Sequence, residues 1–132
     1  RRAHMYRKIG EEFIADDFAH EQSVVFETGK GLVIFNSCSH GGIVNIVREV
    51  QMALGGQKVY AVVGGFHMMK LSGMDTLAIP EKEVVETAQE LKELGVEEIY
   101  TGHCTGNIAF GILKKELGEM VHALGTGETV VF

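Results

Sequence analysis

Apolar positions along this chain fall into short β-branched runs and longer stretches with helical spacing. Residues 23–27 and 32–35 are β-branched and aromatic, and Thr28-Gly29-Lys30-Gly31 between them is a hairpin signal. Ile43, Ile46, Val47, Val50 and Leu54 then recur at i, i+3, i+4 and i+7, which predicts a helix with one buried face, stopped by Gly55-Gly56. Residues 58–63 predict a strand, and 68–77 a methionine-rich loop. Pro80 suits a first helical position, with Glu81 and Glu83 in the first turn, where they complement the helix dipole. Val84, Val85, Ala88 and Leu91 would bury that helix, and Gly95 would end it. Residues 97–100 predict another strand. Ile108, Ile112 and Leu113, followed by Lys114-Lys115, predict a third helix closed by Gly118. Residues 120–124 and 128–132 read as a strand pair around Gly125-Thr126-Gly127, and the first nineteen residues as an irregular lead-in. The order ββ-α-β-α-β-α-ββ implies an α/β fold, a mixed sheet with helices packed on it, in a single domain over residues 1–132.

Composition narrows the function classes. A chain of 132 residues that is 45% hydrophobic can bury a real core. Its net charge of −6 argues against non-specific nucleic-acid binding, which needs basic surface. No apolar run reaches the roughly 18 residues of a membrane span, and no secretory signal pattern is present. Two cysteines beside histidines favour a reducing, cytoplasmic setting with metal or thiol chemistry. A Cys38–Cys104 disulfide is conceivable if both lie on one rim, but the compartment argument disfavours it.

The candidate chemistry lies where three strands run into histidines: Cys38-Ser39-His40, Gly64-Gly65-Phe66-His67, and Thr101-Gly102-His103-Cys104. Ligands of open α/β sheets bind outside the carboxyl ends of parallel strands, so these residues should share one rim. Thiolate and imidazole suit zinc or iron. Cys38, His40 and His103 are therefore candidate metal ligands, against a reading in which Cys38 is a buried small hydrophobe and Ser39 a helix cap. Cys104 reads as buried structure. His67 is either a core histidine or a substrate-facing one. Alone, His20 reads as a solvated turn residue, and His4 and His122 as surface or packing residues. The helix starts at Gly41-Gly42 and Thr105-Gly106 could hold a phosphate, although Thr105 also serves as a helix cap. None of Asp16, Asp17 and Glu21 has the spacing of an acid–base pair.

Four motifs occur in order: Phe18-Ala19-His20-Glu21-Gln22-Ser23, the run from Gly31 through Asn36-Ser37-Cys38-Ser39-His40-Gly41-Gly42 to Ile46, Gly64-Gly65-Phe66-His67, and Thr101-Gly102-His103-Cys104-Thr105-Gly106. This pattern closely resembles the metallo-β-lactamase superfamily, in the branch of metal-dependent hydrolases related to dihydropterin-6-methyl-(ribofuranosyl)aminobenzene-5'-phosphate synthase. The resemblance implies an αββα sandwich with a two-metal site. It places His20 at the isolated histidine before the strand pair and Cys38 at the usual bridging aspartate, with His40 beside it. His103 matches the late histidine of the second metal. The implied cofactor is a divalent metal, zinc first and iron or manganese as alternatives, and the implied substrate is a small, phosphate-bearing molecule.

The superfamily's His-x-His-x-Asp-His motif is not found in these 132 residues. The expectation is therefore the C-terminal half of such a sandwich, with helices on one sheet face and the other face open to a missing N-terminal half or a second copy. It would be a metal-dependent hydrolase or pterin-phosphate transferase, inactive alone. The alternative is a non-catalytic binding or assembly module that retains the half-fold.

Overall fold

The computed structural model describes residues 5–132, so His4 lies outside the described residues. The irregular lead-in expected at the start is instead a hairpin of β1 (Tyr6–Ile9) and β2 (Glu12–Ala15). Gly10, at φ 60, opens its two-residue turn. Both strands are almost wholly exposed, with Tyr6 and Phe13 about two-thirds open to solvent. No buried face imposed the alternation that would have revealed them.

The main sheet has the order β3 (Ser23–Thr28), β4 (Gly31–Cys38), β5 (Val59–Gly65), β6 (Glu98–Thr101) and β7 (Val121–Ala123). β3 runs antiparallel to β4, and every later neighbour pairs in parallel. Parallel neighbours need a crossover. Here α1 (Ile43–Ala53), α2 (Glu81–Glu93) and α3 (Asn107–Leu117) supply them. The carboxyl ends of β4, β5 and β6 therefore open onto the same rim.

Helices pack on one face of this sheet. Leu32, Ile34, Val62 and Ile99 from the strands meet Val47, Val84, Leu91 and Leu113 from the helices, all fully buried. Met68, from the methionine-rich loop, belongs to the same core. Pro80 stands just outside α2 in an extended conformation, one residue earlier than expected. In α3 the buried positions are Ala109, Leu113 and Leu117, while Ile108 is 42% exposed, so the helix is rotated from the face its largest apolar residues suggested. Leu113→Ala should cost about 2–5 kcal/mol in urea unfolding, whereas Ile108→Ala should stay within about 0.5 kcal/mol. Equal losses would mean that the helix is seated the other way.

The opposite face carries a smaller cluster, Val33, Ala61 and Val63, flanked by Phe35, Tyr60 and Tyr100. The expected last strand does not form; β7 ends at Ala123, and Phe132 packs edge-on against Phe35, Tyr60 and Tyr100. His122 is a packing residue, stacked on Tyr100 and 2.6 Å from Glu98 Oε2. Val24 and Phe26, on edge strand β3, remain more than half exposed. No helix among the described residues is long and apolar enough to cross a membrane.

Candidate metal centre

Two glycines at the end of β5 shape the rim. A Cβ on Gly64, at φ +146, would lie 1.6 Å from the Asn36 carbonyl oxygen, and one on Gly65 would lie 2.6 Å from Cys104 Sγ. With no side chain at either position, groups on the flanking strands meet across β5. Cys38, the last residue of β4, brings its Sγ to 2.8 Å from Cys104 Sγ. His67 follows β5 by two residues, and its Nδ1 is 3.4 Å from Cys38 Sγ. The His67 backbone N–H donates to Cys104 Sγ at 3.2 Å. The ligand atoms of Cys38, His67 and Cys104 all lie within 4.8 Å of one another.

Buried hydrogen bonds hold this constellation. Phe66 N–H donates to Thr105 Oγ1 at 2.9 Å, Thr105 and Thr101 hydroxyls meet at 2.6 Å, and Thr101 donates to the Gly64 carbonyl at 2.7 Å. This chain ties β5 to the 3-10 turn His103–Thr105. Thr105 is fully buried in it and cross-links strand ends, and Gly106 rather than Thr105 stands at the N-cap of α3. The Cys104 carbonyl accepts from both Met68 and Met69 N–H.

A second clamp sits on the other side. The Glu21 carboxylate accepts from His40 N–H at 2.7 Å and Gly41 N–H at 2.8 Å. Gly42 N–H donates to the Ser39 carbonyl. The amides of Gly41 and Gly42, expected to receive a phosphate, are therefore already partnered within the chain. A carboxylate occupies the place an anion would take at a helix start. Ser39 is buried and donates to Asn36 Oδ1 rather than capping α1. The His40 ring stacks on Phe18 and lies 4.4 Å from the His67 ring, its Nδ1 3.7 Å from Glu21 Oε1.

Electrostatics favour the ligating form of two of the three donors, Cys104 and His67. The Cys38 thiol donates to Cys104 and holds the Cys104 pKa down to about 7, aided by the His67 N–H and by His103 nearby, against the opposing effect of burial. Cys38 is pushed upward as the partner that keeps the proton, with burial and Glu21 adding to the shift. Burial, and then His40, lowers His67, so its imidazole is neutral and ligand-ready at pH 7.

Of the expected ligands, Cys38 is in this group, and His20, His40 and His103 are outside it. His20 and His40 line an open cavity of about 270 Å³ together with Glu21, Gln22, Ser37 and Cys38. His103 is exposed beside Cys104. Reading the sequence residue by residue missed Cys104 as a donor and left His67 undecided. The available signal was Gly64-Gly65, whose absent side chains leave room for a sulfur above β5. Phe18, His67 and His103 are the non-glycine residues with positive φ among those described, at 57°, 50° and 48°. All three border this rim, where strained backbone is expected of functional geometry.

The residues present fit a divalent metal. As thiolates moved somewhat apart, Cys38 and Cys104 would form with the His67 imidazole a soft donor set of the kind zinc accepts.

Comparisons with known proteins agree on the fold. No family model matches the chain. It is 35% identical over 128 residues, 97% of its length, to the 7,8-dihydropterin-6-methyl-4-(beta-D-ribofuranosyl)-aminobenzene-5'-phosphate synthase of Methanocaldococcus jannaschii, and it covers 41% of that protein. A crystal structure of a metal-dependent hydrolase of the beta-lactamase superfamily superposes with a TM-score of 0.81 at 31% identity, over 96% of this chain and 46% of the other. The chain thus spans less than half the length of either. It carries part of the metallo-β-lactamase superfamily fold. Over that shared part its sequence is similar to the dihydropterin phosphate synthase.

Proposed function

We propose that this chain is the C-terminal half of a cytoplasmic, metal-dependent hydrolase or pterin-phosphate transferase, and that Cys38, His67 and Cys104 hold its metal. The observation that carries this reading is the convergence of those three donors at the carboxyl ends of adjacent strands. Zinc suits two thiolates and an imidazole better than the harder manganese does, with iron the alternative. When bound, the metal supplies an activated water and a positive charge for a developing oxyanion or phosphoryl group.

The chain's own residues do the rest. Gly65 keeps the space beside Cys104 Sγ clear, and Gly64 lets β5 close on Asn36 of β4. Glu21 fixes the Cys38–Gly42 loop, so Cys38 presents its sulfur without a loop rearrangement. His20 and His40, beside Cys38, form the wall against which a small phosphate-bearing substrate would rest. The superfamily's remaining ligands would come from a missing N-terminal half or a second copy. That partner would cover the face on which Val24 and Phe26 stand exposed.

Cobalt titration of the reduced chain tests the site. The expected result is one ion per chain with a thiolate charge-transfer band. Cys38→Ser and Cys104→Ser should each weaken or remove that band. His67→Ala should lower affinity by more than about 100-fold, because losing even an outer partner of a ligand costs about 10- to 100-fold. His103→Ala should leave the band in place. Tight cobalt binding that survives both His67→Ala and Cys104→Ser would overturn the assignment. The chain alone should not hydrolyse phosphodiester model substrates, and adding a complementary half that carries the histidine motif should restore turnover. Bound metal without turnover after reconstitution would favour the non-catalytic module instead.

A further inference from the structure

The two sulfurs lie closer together than metal binding requires. At 2.8 Å they are inside ordinary non-bonded contact and less than about 1 Å from the roughly 2.05 Å of a disulfide bond. Both cysteines are free. Gly65, between their strands, places no Cβ in the way. Their exposure is also unequal. Cys38 is partly open and lines the cavity with His20, Gln22 and Ser37, whereas Cys104 lies beneath it at 7% exposure. One sulfur can therefore be reached by a small reagent, and the second waits within bonding range of the first.

We propose that Cys38 and Cys104 form a thiol–disulfide exchange site whose co-reactant is a low-molecular-weight disulfide. Cys38 attacks one sulfur of that molecule, its proton passing by way of the Cys104 sulfur 2.8 Å away to the departing small thiolate, so that a mixed disulfide forms and one small thiol is released. Cys104 then attacks Cys38 Sγ, breaking the mixed disulfide and releasing the second small thiol. In sum, two protein thiols are oxidised to one disulfide and one small disulfide is reduced to two thiols, with no other reactant. Excess small thiol reverses both steps. The exchange itself rests only on sulfur geometry and access. Its consequence for the metal rests on the proposed function, since a disulfide leaves neither thiolate to ligate and oxidation would empty the centre.

The test treats the reduced, metal-free chain with oxidised glutathione and follows intact mass and free thiols under non-reducing conditions. The expected product has lost two hydrogens in mass and both of the chain's two thiols, carries no glutathione and has no disulfide to a second chain. Cys104→Ser should stop at a single glutathione adduct on Cys38. Cys38→Ser should stay unmodified over the same period, because the remaining sulfur is buried. A wild-type chain that stops at a stable adduct, or that links to a second chain, would overturn the exchange site. Repeating the reaction with zinc present separates the two readings. Slower closure, with one zinc released per disulfide formed, supports both the exchange site and the metal centre. Unchanged closure with zinc present supports the exchange site and overturns the metal centre.

Discussion

Gly64→Ala is expected to lose more than about 3 kcal/mol of folding stability, enough to leave much of a marginally stable domain unfolded. The added methyl would sit 1.6 Å from the Asn36 carbonyl oxygen, and it is fixed to the β5 backbone as that oxygen is to β4, so no side chain can swing aside. A φ of +146 adds strain for any residue with a Cβ. Urea unfolding followed by far-UV circular dichroism reads the effect directly. Gly55→Ala is the control. It also stands at positive φ, but in open space, and should lose only about 1–2 kcal/mol. Equal losses in the two variants would show that β4 and β5 do not approach as described. Because β5 carries the residues that precede His67, a chain rescued by low temperature should still bind cobalt poorly.

Glu21→Ala should be the second large effect. Its carboxylate is only 12% exposed and accepts two backbone N–H groups at the start of α1. Hydrogen bonds to a charged acceptor contribute about 1.5–3 kcal/mol each, and the positive end of the helix adds to them. Water can re-enter the partly open loop and recover some of this, so a loss of about 2–4 kcal/mol is expected. Glu21→Gln separates charge from shape. It keeps one acceptor oxygen but turns an NH₂ toward the second amide, and should fall between wild type and alanine. A Glu21→Ala chain as stable as wild type would show that the Cys38–Gly42 loop holds itself. If the loop loosens as argued, added phosphate should partly restore stability to Glu21→Ala and do nothing for wild type, because the vacated amides can then receive an anion.

Regular elements with a buried face were readable in the chain. The helical spacing of Ile43, Ile46 and Val47 matches buried positions of α1, and Val84, Ala88 and Leu91 match those of α2. Failures came where burial did not follow side-chain size or where no face was buried at all. α3 turns small Ala109 inward and leaves Ile108 outside, because packing against neighbours sets helix rotation. The β1–β2 hairpin shows no alternation because neither side is covered. Phe132 anchors the tail as a single aromatic plug where a strand was expected.

The candidate site divides in the same way. Sequence alone determined that histidines and cysteines end three strands, and parallel pairing through helical crossovers then required those ends to share a rim. Which members of that rim meet is a matter of ångströms between strands, and linear order carries no such information. Only the tertiary structure decided that Cys104 reaches over Gly65 to Cys38, and that His67 rather than His103 completes the group. It also decided that Glu21, nineteen residues upstream, occupies the amides of His40 and Gly41. The physical reason is that ligand groups are set by close packing across neighbouring strands, where one missing Cβ determines which side chains can touch.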